Sequence, residues 1–142
     1  MLIASTIARI LIGLLFAVAG VMDVLVAPAP QPGLMGIVTD ALSQSHWLWF
    51  VGAAQLTIGV LMLVNRFVPV ALIMLAAFLY NSFAFHLMVA PLSVFAPIVV
   101  TALWLLVALR YRSLFTPIFA AKAPTDAVRA SLVTHTMPPV AR

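Results

Sequence analysis

The sequence predicts an all-α integral membrane protein, a four-helix bundle, and three observations predict it. Four apolar stretches occupy residues 1 to about 111, each near the roughly 20 residues that an α-helix needs to cross a hydrocarbon core of about 30 Å. Of 142 residues, 65% are hydrophobic and 7% charged, where a soluble domain carries about a quarter charged. The strand alternation of a membrane barrel is absent, and each span must satisfy its own backbone hydrogen bonds, which leaves helices.

The first span is expected over about Thr6 to Val26 (TIARILIGLLFAVAGVMDVLV), with Arg9 near its start and Asp23 near its end. A cleavable signal peptide is the competing reading, since small residues stand at Ala27 and Ala29 after a basic start. Pro28 and Pro30 crowd such a cleavage site, and the run is long enough to span, so a retained helix is the expectation. Residues Ala27 to Gly33 (APAPQPG) form a loop, because three prolines lack backbone donors and Gly33 permits a turn.

After that loop, Leu34, Ile37, Val38, Ala41 and Leu42 recur at helical spacing opposite Thr39, Asp40, Ser43 and Gln44. The pattern fits a short amphipathic segment at the interface or over the bundle end, with an irregular loop as the alternative. His46, Trp47 and Trp49 open the second span, which runs to about Val64, and paired tryptophans there match an aromatic belt. Asn65 and Arg66 close it. Pro69 suits the first turn of a third helix, where its missing N–H is unneeded, so spans two and three form a tight hairpin.

The third span reaches about Met88, and Ala90, Pro91 and Leu92 connect it to a fourth over about Ser93 to Leu109. Residues 1–113 thus make the transmembrane domain. Residues 114–142, rich in Ala, Pro, Thr and Val, read as a poorly ordered cytoplasmic tail with a helical turn or two around Asp126 to Val133. Arg9, Arg66, Arg110, Arg112, Lys122 and Arg129 all fall on one side of a four-span arrangement, and the positive-inside rule places that side and both termini in the cytoplasm.

The net charge of +4 is therefore read as a topology signal, not as a nucleic-acid surface, which would gather basic residues on one face with aromatics between them. With no cysteine, the chain can form no disulfide, thiolate metal site or covalent haem link through sulfur. His46, His86 and His135 are too scattered for metal-ligand spacing. Nucleophile triads, phosphate-cradling glycine loops and dinucleotide fingerprints are missing, so an enzyme acting alone is the least supported class.

Polar residues inside the spans carry the functional reading. At about 1.5 Å per residue, Asp23 lies about 21 Å above Arg9, Asn81 about 21 Å above Phe67, and Gln55 about 16 Å above Arg66. His86 lies about 7 Å higher than Asn81, and Thr101 of the fourth span falls slightly below that layer. An unpaired Asp at the bilayer centre costs about 2.5–3.5 kcal/mol, so Asp23 should face the bundle, reach the outer interface or be protonated there, and Gln55 or Asn81 can hold a carboxylate or a carboxylic acid. The bland alternative is helix glue, at about 0.6 kcal/mol per bond.

Gly13 and Gly20, and Gly52 and Gly59, repeat at seven-residue spacing and predict a close seam between spans one and two. Such small-residue seams also permit a homo-oligomer. Met62, Met74 and Met88 read as flexible packing residues.

The stretch GVLMLVNRFVPVALIMLAAFLYNSFAFHL, followed by ALRYRSLFTPIF, resembles the DoxX family of small four-helix bacterial membrane proteins, and RILIGLLFAVAG resembles that family's opening helix. The NRFVP turn and the N-x-x-x-F-H pattern from Asn81 to His86 are its more specific parts. The resemblance implies an inner-membrane protein tied to redox assemblies, quinone-linked sulfur oxidation or oxidative-stress resistance. The family often carries a glutamate where this chain has Gln55, so an ionisable group is missing here. The expectation is an accessory subunit whose polar layer of Asp23, Gln55, Asn81 and His86 shapes a cavity open to the outer side. A quinone there would take hydrogen bonds from Asn81 and His86 against a wall of Tyr80, Phe83, Phe85 and Trp104. The alternative is a small proton-coupled transporter or permease component in which Asp23 changes protonation.

Overall fold

The computed structural model describes residues 2–116, and every regular element among them is helical. Helix α1 covers Leu2–Leu25, α2 Gly33–Gln44, α3 Trp47–Leu63, α4 Val68–Met88 and α5 Phe95–Arg110. A 3-10 turn over Pro91–Ser93 joins α4 to α5, and a single-turn α6 covers Arg112–Phe115. Compactness divides the chain after Arg112, and α1 to α5 lie in the unit before that division. The expected helical turns around Asp126 and the state of the tail from residue 117 fall outside the described residues.

Local chemistry accounts for most of the boundaries. Helix α1 stops short of the three prolines at 28, 30 and 32, which supply no N–H to continue it. The amphipathic segment is helical as α2, which settles that choice against an irregular loop. Pro69 stands in the first turn of α4 as expected. The α3–α4 connection turns within four residues by placing Asn65 and Phe67 in the left-handed region, at φ 56° and 55°. Asn visits that region readily, whereas a bulky residue such as Phe67 does so at a cost.

Helices α1, α3, α4 and α5 form a ring in which α1 packs on α3 and α5, and α4 packs on the same two. The diagonal from α1 to α4 is bridged by Phe16 and Phe78, edge to face with centroids 5.2 Å apart. Ile12 and Phe16 of α1, Ile58 and Met62 of α3, Leu72, Leu75 and Leu79 of α4, and Val100 and Val107 of α5 fill the centre. Outside it, Leu14, Leu15 and Val18 of α1, Val70 and Ile73 of α4, and Ile98, Leu105 and Leu106 of α5 lie exposed. The long helices are thus apolar on all sides, the pattern of a membrane span and not of a surface helix in water.

Three segments, Leu2–Leu25, Val68–Met88 and Pro91–Arg110, are long and apolar enough to cross a membrane. The expected second span differs. Helix α3 has 17 residues, about 26 Å of rise, at the short end of the spanning range, and joins α2 through an 86° bend. His46, at φ 59° in the left-handed region, makes that corner, so α2 runs across the bundle end instead of continuing α3.

Candidate functional site

The site begins at the glycine seam. A Cβ on Gly20 would stand 2.6 Å from both Gly52 O and Leu56 N, and one on Gly59 would stand 2.5 Å from Ala17 N. These neighbours are backbone atoms, so the two helices touch main chain to main chain, and only hydrogen fits between them. The seven-residue spacing of Gly13, Gly20, Gly52 and Gly59 therefore marks an α1–α3 contact, as expected, and all four glycines are buried within the bundle. Helix α3 descends as α1 ascends, which brings the end of α1 beside the start of α3.

That pairing places Asp23 against Gln55. Gln55 Nε2 donates to Asp23 Oδ2 at 3.0 Å, a bond between two helices. Gln55 is 8% exposed and Asp23 half-buried. The amide oxygen of the same side chain, Gln55 Oε1, is buried without a partner among the described residues, which costs about 1–3 kcal/mol. Asp23 also borders a pocket of about 190 Å³ between the end of α1, the start of the Pro-rich loop, Ser43 of α2, and Leu48 and Trp49 of α3. The 86° corner is what builds it, because it swings Ser43 and Trp49 over the end of the seam.

The rest of the expected layer does not join this pair. Asn81 is exposed and donates through Nδ2 to Ala77 O of its own helix at 2.9 Å. At 100° per residue it sits about 200° around α4 from the buried Leu79 and so faces away from the core. Tyr80 is 78% exposed and forms no wall. Thr101 turns back to Pro97 O at 2.7 Å. The expected cavity lined jointly by Asp23, Gln55, Asn81 and His86 is therefore not formed by these side chains.

His86 and Trp104 serve helix-to-helix and helix-to-turn bonding. Ser93 Oγ gives its one hydrogen to Ala90 O at 2.9 Å, so at the 2.8 Å contact with His86 Nδ1 the ring nitrogen donates and the hydroxyl accepts. This pins the end of α4 to the turn before α5. Trp104 Nε1 donates to Leu72 O at 2.9 Å, tying α5 to α4. Phe83 and Phe85 are half-buried, and Phe85 meets the His86 ring edge to face at 5.6 Å.

Two contributions escaped the sequence. Arg9, read only as a topology signal, donates from its guanidinium to Met62 O and to Leu63 O, two carbonyls in the last turn of α3, the first of which also accepts from Asn65 N at 3.4 Å. Ser43 and Trp49 line the pocket although they lie on a segment and an edge read as interfacial. Trp49 was visible as half of an aromatic pair, and Ser43 as part of the polar face of α2, but nothing local says that both return to Asp23.

Comparison with known proteins adds no further constraint: no family model, no curated protein and no solved structure matches the chain.

Proposed function

We propose that this chain is a four-span inner-membrane protein of the DoxX-like kind, a non-catalytic accessory component of a bacterial redox or oxidative-stress assembly. The observation that supports the membrane reading best is an exterior as apolar as the core, carried by α1, α4 and α5. In water such a surface would far exceed the few hundred Å² that soluble monomers leave in one apolar patch. The DoxX-like part of the proposal rests on the NRFVP turn and the Asn81 to His86 pattern.

Orientation follows from charge segregation. The antiparallel ring puts Arg9, Arg66, Arg110 and Arg112 at one end, and Asp23 and Asp40 at the other. The positive-inside rule makes the arginine end cytoplasmic and the Asp23 pocket outward-facing. An accessory role is supported by the use of the other interior polar groups: Arg9, Trp104 and His86 are committed to holding helices, which leaves the Asp23–Gln55 pair as the place with unused acceptors. A quinone ligand draws less support, since Asn81 and Tyr80 lie exposed and His86 Nδ1 is engaged with Ser93 Oγ. Absorbance of a solvent extract of the purified protein tests for it directly.

A proton-coupled transporter component is the second reading, favoured by an ionisable carboxyl beside an opening. The variant Asp23→Asn separates the two: a transporter loses pH-dependent flux, while an accessory subunit keeps its migration in a larger membrane complex. The cysteine-free sequence makes topology directly measurable. Single cysteines at Ala29 and Leu92 should react with an impermeant maleimide in intact cells, and one at Val64 only after permeabilisation. Equal labelling at all three, or release of the protein by alkaline carbonate, would overturn the four-span reading.

A further inference from the structure

The geometry points to an organic ammonium group, a lipid headgroup amine or a small free amine, as the occupant of the pocket formed by Asp23, Ser43 and Trp49. The inference rests on the membrane reading above and names the ligand class of the same site. At about 190 Å³ the pocket is smaller than the roughly 300–1,000 Å³ of drug-sized sites, so it suits a headgroup fragment and not a quinone ring system.

Its one charged side chain is the Asp23 carboxyl, and no arginine or lysine lines it. Asp23 is an acceptor that receives one hydrogen bond, from Gln55, and a primary ammonium carries three donors and no acceptor. Every described arginine lies at the opposite end of the bundle, while the exposed Asp40 of α2 adds a second negative charge at this one. A metal ion is a poor match, because among the described residues no three His, Asp or Glu side chains come together.

Trp49 supplies the remaining feature. It lines the pocket, and the His46 ring packs against its indole at 90° with centroids 5.1 Å apart. A carboxylate paired with an aromatic face is the combination that recognises alkylammonium groups, the ring quadrupole attracting the cation while the apolar walls of Val24 and Leu48 shed water around its carbon atoms.

Two arms distinguish the sources. Protein reconstituted in mixed phosphatidylethanolamine and phosphatidylglycerol vesicles is examined by native mass spectrometry for retained lipid. Protein in phosphatidylglycerol nanodiscs alone is titrated with ethanolamine and followed by tryptophan fluorescence. Preferential retention of phosphatidylethanolamine that Asp23→Asn reduces about ten-fold assigns a lipid headgroup, and saturable ethanolamine binding weakened about ten-fold by the same change assigns a free amine. Because Asp23→Asn also alters the α1–α3 bond, Trp49→Leu provides a variant that leaves both partners of that bond in place, expected to weaken either ligand about five- to thirty-fold with unchanged circular dichroism. If the maleimide pattern above holds and neither amine binds in preference to phosphatidylglycerol, the ammonium assignment is wrong and the membrane reading survives. Failure of the maleimide pattern removes both.

Discussion

Replacing Gly59 or Gly20 with alanine should destabilise the bundle, although alanine is the better helix former. The gain is intrinsic: alanine exceeds glycine by about 1 kcal/mol in a helix interior. Against it stands a Cβ placed 2.5 Å from Ala17 N in one variant and 2.6 Å from Gly52 O and Leu56 N in the other. Ordinary contact begins at 3.4 Å, so each variant is short by 0.8 Å or more, and the obstructing atoms are backbone. The helices must separate by about that distance, and a gap of 0.5–1 Å forfeits a quarter to a half of each contact's dispersion energy along the seam. Overpacking of this kind costs about 1–3 kcal/mol.

The net expectation is a loss of up to about 2 kcal/mol for each variant, and Gly20→Ala should also lengthen the neighbouring Asp23–Gln55 bond beyond hydrogen-bonding range. Denaturant or thermal unfolding of the detergent-solubilised protein measures it, with Ala102→Leu on the exposed side of α5 as a control for added bulk. A gain in both glycine variants close to the ~1 kcal/mol that alanine's helix propensity supplies would show that α1 and α3 do not meet main chain to main chain.

Arg9→Gln should cost about 1.5–3 kcal/mol, the worth of charged hydrogen bonds to the end carbonyls of α3, and Arg9→Lys should recover part of it in the same unfolding assay. Asn81→Ala should stay within about 0.5 kcal/mol of the parent, because the side chain is exposed and bonds only to its own helix; a larger loss would place Asn81 in an internal layer after all. Trp104→Phe should lose about 0.5–1.5 kcal/mol through the bond to Leu72 O, and indole fluorescence of the parent should shift on unfolding as that bond breaks.

The helical elements were largely legible because their edges are written in local chemistry. Prolines at 28, 30 and 32 end α1, Pro69 fits the first turn of α4, and the spacing of Leu34, Ile37, Val38 and Ala41 announces α2. The α1–α3 seam was legible for a related reason: seven residues are close to two helical turns, so a glycine repeat lines one face wherever the helix goes. The site was legible by half. Counting residues gives height along a helix, which pairs Asp23 with Gln55 as expected, but height says nothing of azimuth, and Asn81 points away from the core.

By itself the sequence determined that this is a helical protein of long apolar segments, with its basic residues gathered on one side of the expected spans, since transfer energies and helix periodicity are properties of the residues and their order. Only the tertiary structure decided that α2 turns 86° across the end of α3, that Arg9 closes the α3 carbonyls, and that Ser43 and Trp49 come back to Asp23. Those outcomes depend on a left-handed His46 and on which helical faces interlock, and no local propensity encodes the packing of one surface against another distant in sequence.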